Sequence, residues 1–441
     1  MTTTPPAPDL SGPTALDQAP PSSKRRVLAW SMWDWGTQPF NTVITTFVFS
    51  VYLTSSAFGS ENYTSKRLAI ATAIAGLFVA LLAPVLGQNS DRSGRTVRNL
   101  RIQTWALAAL SASLYFVKPE PAYLWLGLIL LGVGSIISEI AGVNYNATID
   151  QVANQQTVGR VSGFGWGMGY LGGILVLLLM VAIFSADIDS DGIRLTMILC
   201  GAWTMIFTIP AFLVLKDKPR PPAPAVGIVR SYQLVWASIR GLWQTSRHTV
   251  FFLMASALFR DGLAGVFAFG AVLAAGTFKL SAGEVIIFGA VANILAGLST
   301  MAFGVLDDWL GPKRVIMISL GALVVLGLAI FVLHSGGKSV FWTLGLAMTA
   351  FVGPAQAASR SFLARVIPEG KNGEIFGLYA TTGRVVSFLS PAAFAAFIVI
   401  GEWVTGQDNT QYWGILGIAL VLTAGLAVMI PVKEHTEHSF S

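Results

Sequence analysis

Residues 87–98 read GQNSDRSGRTVR, and residues 304–315 read GVLDDWLGPKRV. Both hold G-x-x-x-D-x-x-G followed by basic side chains. The first copy supplies Gly87, Asp91, Gly94 and Arg95; the second supplies Gly304, Asp308, Gly311, Lys313 and Arg314, 217 residues later at each shared position. Two copies of one charged turn in an otherwise apolar chain indicate an internal duplication. A second anchor agrees: Gly159-Arg160-x-x-Gly163 opens one apolar run and Gly373-Glu374-x-x-Gly377 opens another.

Those turns punctuate a chain of 441 residues that is 54% hydrophobic and only 11% charged, with a mean hydropathy of +0.66. A soluble domain carries roughly 25% charged residues. Apolar runs long enough to cross roughly 30 Å of hydrocarbon fall near 28–54, 66–90, 98–117, 121–146, 157–184 and 193–215, then near 248–276, 282–306, 313–334, 338–360, 373–400 and 410–430. The expectation is an all-α integral membrane protein with twelve transmembrane helices in two pseudo-symmetric six-helix bundles, 28–215 and 248–430. Six spans is an even number, so the halves share an orientation about an axis along the membrane normal.

Between the halves, residues 216–247 begin KDKPRPPAPAVG and are expected to form a cytoplasmic linker. A hinge there suits alternating access, in which one bundle rocks against the other; a plain connector is the simpler alternative. Residues 1–27 are rich in Pro, Ser and Thr without an apolar core, which predicts a disordered cytoplasmic tail rather than a signal peptide. Residues 431–441 form a second tail. With the amino terminus inside, twenty of the 28 Lys and Arg side chains, Arg360 among them, fall on the inner side and six on the outer; Arg260 and Arg384 fall within spans. That asymmetry orients the chain with both termini cytoplasmic in a cell membrane.

Other chemistries find little support. The formal charge of +6 is spread through loops without an aromatic and basic face, so no nucleic-acid partner is expected. Cys200 is the single cysteine and excludes an intrachain disulfide or a cysteine metal site. DIDSDG at 187–192 begins like a calcium loop, but the twelfth position is Ile198 rather than a bidentate acid. GGKS at 336–339 lacks the first glycine of a phosphate loop, since position 332 is Val332. HTEH at 435–438 lies in the tail, and there is no H-E-x-x-H or G-x-S-x-G. The chain is therefore expected to be no enzyme and to need no metal and no cofactor.

The loop GQNSDRSGR resembles the hallmark motif of the major facilitator superfamily, and the repeat, span number and central loop extend that resemblance over nearly the whole chain. WDWGTQPFNTVITTFVFSVYL (33–53), GRVSGFGWGMGYLGG (159–173) and QAASRSFLARVIPEGKNGEIFGLYATTGR (356–384) are similar to the branch holding vacuolar amino-acid effluxers of the autophagy-related type. The resemblance implies a cytoplasmic gate in which Asp91, with Arg92 and Arg95, faces the start of the eleventh span near Glu374, and Asp308 faces Arg160. A helix start presents free amides and partial positive charge, which suits an aspartate. Ordinary inside-positive turns are the alternative. Thr96 stands where a second basic residue is common in the motif, and Met168-Gly169 replaces the Gly-Pro of the superfamily's antiporter motif, so export gains little from it.

Five ionisable side chains fall within the expected spans: Asp34, Glu139, Arg260, Asp261 and Arg384. Each costs about 2.5–3.5 kcal/mol at a helix centre, so such groups normally line a transport path or meet a partner. Asp34, Gln38, Asn41 and Thr45 are spaced 4, 3 and 4, which places them on one face of an ideal helix. Pro39 denies the Trp35 carbonyl its usual partner and Gly36 eases a bend, so the first span is expected to border the central site; a kink with Asp34 paired to a buried arginine is the alternative. Glu139 shares a face with Ser135, Gly142 and Asn146. Arg384 shares one with Gly377, Thr381 and Phe388. Acids in the first half and an arginine in the second suit a zwitterion, its ammonium on Asp34 or Glu139 and its carboxylate on Arg384. Arg260 is a further substrate-binding candidate, and Trp33, Trp35, Trp166 and Tyr170 are candidate walls.

Burial favours the neutral form of a carboxylic acid, so Asp34, Glu139 and Asp261 are the candidates to carry a coupled proton. The reading is a secondary transporter, monomeric, moving a small polar or zwitterionic metabolite, an amino acid on the branch resemblance, by alternating access coupled to protons. Export of amphipathic drugs or lipids, and a receptor or scaffold that no longer transports, remain open.

Overall fold

The computed structural model describes residues 14–19, 21–184, 189–218, 228–407 and 410–433. Helices account for nearly all of it. The first, α1 (Lys24–Pro39), runs through a wide π-turn segment, Phe40–Phe47, into α2 (Phe49–Thr54). There follow α3 (Glu61–Ser93), α4 (Thr96–Ser113), α5 (Leu124–Ala147), α6 (Val158–Phe184), α7 (Ser190–Val214) and α8 (Ile228–Thr245). The second part holds α9 (Arg247–Gly276), α10 (Ala282–Leu310) and α11 (Pro312–Val332). A single turn α12 (Lys338–Val340) then passes through the π segment Phe341–Gly345 into α13 (Leu346–Val366), and α14 (Asn372–Val386), α15 (Leu389–Thr405) and α16 (Gly414–Met429) complete the chain.

Among the described residues, ten helical stretches are long and apolar enough to cross a membrane, from Tyr63–Ser93 to Gln411–Met429, so this is a multi-pass membrane protein. The expected first and third spans are not among the ten. The first carries Lys24, Arg25, Arg26 and Asp34 and is interrupted at Val48, and α4 carries Arg98 and Arg101 near its start. Both are helical and well packed all the same: α1 lies against α6 and α7, and α4 lies against α5 and α7.

The sequence predicted that Pro39 would strand a carbonyl, and the structure answers the need from a neighbouring helix. Trp203 Nε1 donates to the Trp35 carbonyl at 3.3 Å and Thr204 Oγ1 donates to the Gly36 carbonyl at 2.9 Å. Backbone freed from its own helix is tolerated at membrane depth when another side chain satisfies it in this way. The polar face expected over Asp34, Gln38, Asn41 and Thr45 is corrected beyond Pro39. The π segment widens the turn, so Thr45 and Thr46 both donate to the Asn41 carbonyl at 2.7 Å, and the 100° register no longer holds there.

Two seams join the first set of helices to the second: α6 against α10, and α3 against α14. Glycine permits both. A Cβ on Gly163 would stand 2.6 Å from the Thr300 carbonyl oxygen and 2.7 Å from Gly304 Cα; one on Gly377 would stand 2.6 Å from the Ala83 carbonyl oxygen and Pro84 Cα. Pro84 also frees the Ala80 carbonyl, which Thr381 Oγ1 of the opposite helix meets at 2.9 Å.

Two segments expected as tail and linker are structured in part. Residues 1–13 lie outside the described residues, but Ala15 and Leu16 are buried. Thr14 pairs with Pro368 and accepts a hydrogen bond from Gln155 Nε2 at 2.9 Å, and helix α1 begins at Lys24. The apolar Ala15-Leu16 pair, diluted by its Pro-rich surroundings in the sequence, explains why this piece docks. Within 216–247, residues 219–227 lie outside the described residues, whereas 228–245 form α8. At the other end, HTEH is likewise outside them. Of the acids of DIDSDG, Asp187 lies outside the described residues, and the other two serve the start of α7: Asp189 accepts from the Gly192 amide at 2.8 Å and Asp191 pairs with Arg194.

Candidate functional site

Asp34 lies mid-helix in α1 among aromatic rings. The Tyr145 ring is stacked between Trp30 and Trp33, with centroids 4.4 and 4.1 Å away. The indoles are pinned in turn, Trp30 Nε1 donating to Thr148 Oγ1 at 3.0 Å and Trp33 Nε1 to Thr104 Oγ1 at 2.9 Å. Tyr145 then donates its hydroxyl to Asp34 Oδ2 at 2.8 Å. Trp35 turns the other way, onto Trp203 and Phe207 of α7, so it is packing rather than a wall.

Into this cage reaches Arg360 of α13, 3% exposed. Its guanidinium donates to Ser162 Oγ at 2.9 Å, to the Ser162 carbonyl at 2.7 Å, to Asn146 Oδ1 at 3.3 Å and to Asp34 Oδ2 at 3.4 Å. It also lies 5.1 Å from the Trp30 ring centre and 5.7 Å from those of Tyr145 and Trp166. The sequence put Arg360 among the inner-side charges because the apolar run fades there. The helix continues to Val366, which carries Arg360 inside the span, and a charge so placed must be paired. Gly165 makes room for the pair: a Cβ there would meet Asp34 Oδ2 at 2.7 Å and Arg360 Nη2 at 2.9 Å.

A second pair sits in a more open position. Glu139 of α5 and Arg384 of α14 form an ion pair across the two sets of helices, 36% and 33% exposed. Gly142, one turn along from Glu139, faces open space. Asn41 is exposed, Gln38 and Trp166 are half-buried, and Tyr170 is buried with its hydroxyl donating to Gln356 Oε1 at 3.0 Å. The remaining candidates have other partners. Arg260 lies 3.8 Å from the Tyr379 ring centre and donates to the Tyr379 carbonyl at 2.9 Å. Asp261 is buried and accepts from the Ser390 amide at 2.6 Å, just past the break between α14 and α15. That amide is an orphan donor of a helix start, so the carboxylate has a structural task there, and the sequence, reading 373–400 as one span, did not anticipate the break.

At the face that carries the described ends of the chain, the two repeated aspartates cap helices of the opposite set. Asp91 accepts from the amides of Gly373 and Glu374, both at 2.9 Å. Asp308 accepts from the amides of Gly159 at 2.7 Å and Arg160 at 3.1 Å, and pairs with Arg160 Nε at 2.7 Å. Each carboxylate thus spends both oxygens on a helix start, where orphan amides and partial positive charge converge. Glu374 is met by Lys371 at 2.7 Å and by Gln88 at 3.1 Å, whereas Arg95 is exposed at the start of α4 and Arg92 is half-buried at the end of α3.

Around these caps lie residues that sequence reading missed. Asp307 pairs with Arg365 at 2.5 Å and with the Ser361 hydroxyl; Asp150 pairs with Lys218 at 2.8 Å and accepts from Asn372 Nδ2 at 2.9 Å. Asp91, Asp150, Lys216, Lys218 and Asn372 line a small polar cleft. One signal was available. The offset of 214 that aligns Gly159 with Gly373 also aligns Asn146 with Arg360, two residues that the structure brings together.

A family model described as vacuole effluxer Atg22 like matches residues 54–438. The uncharacterized MFS-type transporter YxiO of Bacillus subtilis is 24% identical, over 94% of this chain and 96% of its own. Autophagy-related protein 22 of Yarrowia lipolytica is 24% identical over 69% of this chain and 54% of its own, so the chain spans about half the length of that fungal relative. Among solved structures, the MFS proton:xylose symporter XylE bound to 6-bromo-6-deoxy-D-glucose superposes with a TM-score of 0.70 at 13% identity, over 92% of this chain and 94% of that one.

Proposed function

The chain belongs to the vacuole effluxer Atg22-like family of major facilitator transporters, and on that premise we propose that it moves a small zwitterion, an amino acid, across the cell membrane by alternating access coupled to protons. The observation that carries this reading is the Glu139–Arg384 pair, two opposite charges from opposite helix sets, each about one-third exposed beside the open space at Gly142. An amino acid entering between them gives its ammonium to Glu139 and its carboxylate to Arg384. It exchanges one ion pair for two, so the charges already desolvated by the protein become the binding energy.

In this reading the ten long spans and the two segments Lys24–Thr54 and Thr96–Phe116 make twelve crossings in two six-helix halves, 28–215 and 248–430, with both termini cytoplasmic. The protein works as a monomer. Asp91 and Asp308 are the cytoplasmic gate, with Arg92, Arg95, Arg160 and Glu374 around them. With both caps made and the mid-membrane pair half open, the conformation is closed inward. Asp34 is the coupling carboxylate: a proton arriving there removes the anion facing Arg360 and loosens the one arginine that ties α13 into α1, α5 and α6. Gln38, Asn41, Trp166 and Tyr170 line the path; Arg260, bound to Tyr379, and Asp261, bound to Ser390, are assigned to holding α14 and α15 in place.

One observation favours a second reading, export of an amphipathic compound. A pocket lined by apolar side chains, including Val266, Phe288, Phe341, Met348 and Ile415, opens among α9, α10, α11, α13 and α16. Thermal unfolding of the purified protein with single amino acids, sugars, drugs and lipids separates the two, since a ligand of the folded state raises apparent stability by mass action. Stabilisation by an amino acid that vanishes in Arg384→Ala supports the zwitterion site. Stabilisation by drugs or lipids alone, unchanged in that variant, overturns it in favour of the apolar cavity.

A further inference from the structure

Helix α8 contributes no residue to the proposed zwitterion site, and its surface chemistry is independent of the amino-acid reading. At ~100° per residue its side chains divide into three sectors. Ser231, Val235, Ser238 and Leu242 are buried against the protein. Beside them Tyr232, Trp236 and Trp243 form an aromatic stripe, the two indoles 57% and 46% exposed. The third sector is polar and basic, with exposed Arg230, Gln233, Arg240 and Gln244.

Two contacts fix the height of this helix. Tyr232 donates its hydroxyl to the Leu81 carbonyl at 3.0 Å, a backbone group within the span Tyr63–Ser93. The aromatic stripe is therefore directed toward membrane depth. On the buried side, Lys371 Nζ reaches Ser238 Oγ at 3.4 Å while pairing with Glu374, which holds α8 level with the capped start of α14. The indoles also carry cations: the Arg240 guanidinium lies 5.5 Å from the Trp236 ring centre, and that of Arg247, at the start of α9, lies 5.8 Å from that of Trp243.

We propose that α8 lies in the plane of the bilayer surface and binds anionic phospholipid headgroups, with Trp236 and Trp243 at the boundary of headgroup and acyl chain and Arg230, Arg240 and Arg247 on the phosphates. A helix with an apolar aromatic side and a basic side takes this position because each side finds its own solvent, and tryptophan is enriched at that depth. Neutral lipid would satisfy the indoles but leave three guanidinium groups without an anion, so charge complementarity selects an anionic headgroup.

The test uses the full chain in neutral detergent, with dioleoylphosphatidylglycerol or dioleoylphosphatidylcholine titrated into the micelles and thermal unfolding as the readout. Phosphatidylglycerol is expected to raise Tm where phosphatidylcholine does not. In Arg230→Gln/Arg240→Gln, the mole fraction of phosphatidylglycerol for half-maximal stabilisation should rise about 25-fold, about fivefold for each arginine. The pair Arg230→Lys/Arg240→Lys should restore most of the response, and Arg98→Gln/Arg101→Gln, two exposed arginines on α4, should leave it unchanged. Equal stabilisation by phosphatidylcholine, an unchanged response in the glutamine variant, or the same shift from water-soluble glycerol phosphate would each overturn the proposal.

Discussion

Truncating Asp308 to alanine tests whether the repeated aspartates hold the two helix sets together as a gate. The carboxylate, 5% exposed, accepts two amide hydrogen bonds at the start of α6 and an Arg160 Nε contact at 2.7 Å; a longer contact from Arg365 Nη2, at 3.3 Å, lies within its own helix set and does not cross the seam. Loss of an N-terminal cap costs about 1–2 kcal/mol, and a hydrogen bond to a charged group contributes about 1.5–3 kcal/mol. The Arg160 side chain is 56% exposed, so its ion pair adds at most about 1 kcal/mol. Together these give about 3 kcal/mol, or roughly 100-fold in an equilibrium constant. Because α6 and α10 belong to different helix sets, the loss should appear as opening of the seam rather than as unfolding. If the closed form is favoured about 100 to 1, the variant stands near 1 to 1. The single cysteine, Cys200, is buried, so a cysteine placed at exposed Asn41 reports access from the outer side. Its reaction with a membrane-impermeant maleimide should slow about twofold in Asp308→Ala, and likewise in Asp91→Ala. A fall in Tm with an unchanged labelling rate in both variants would refute the gate and leave the aspartates as ordinary helix caps.

Asp34→Asn keeps an acceptor for the Tyr145 hydroxyl but removes the anion facing Arg360; proton-driven flux into proteoliposomes should be lost while the purified protein stays folded, and intact coupling would remove Asp34 from the mechanism. Glu139→Gln and Arg384→Gln each break a pair about one-third exposed, so unfolding stability should change by no more than about 1 kcal/mol while stabilisation by amino acids disappears; retained stabilisation in both would exclude the pair as the binding site. Gly163→Ala puts a Cβ 2.6 Å from the Thr300 carbonyl oxygen and 2.7 Å from Gly304 Cα, backbone atoms that yield little. It should disfavour the closed seam by about 1–3 kcal/mol, seen as slower labelling of a cysteine at Asn41, and unaltered labelling would mean that the two helices do not meet this closely.

Composition was sufficient to identify a helical, multi-pass membrane protein, because hydrocarbon demands long apolar helices, and the repeated loop marked two aspartates that cap helices, because a charged turn is a local pattern. The sequence also named Asp91, Asp308, Arg160 and Glu374, since aspartates and helix starts signal themselves within a few residues. Tertiary structure alone decided which charges meet. Asp34 pairs with Arg360, 326 positions away, and Glu139 with Arg384, 245 away, because a buried charge takes whatever partner the packed helices bring to it. Arg360 escaped notice because its helix outlasts the apolar run, and the bond from the Ser390 amide to Asp261 went unforeseen because the break there leaves no mark in hydropathy. The Pro39 bend was legible as a backbone need; that Trp203 and Thr204 would answer it, and that the following turn would widen into a π segment, depended on the neighbouring helix, which no local stretch of sequence contains.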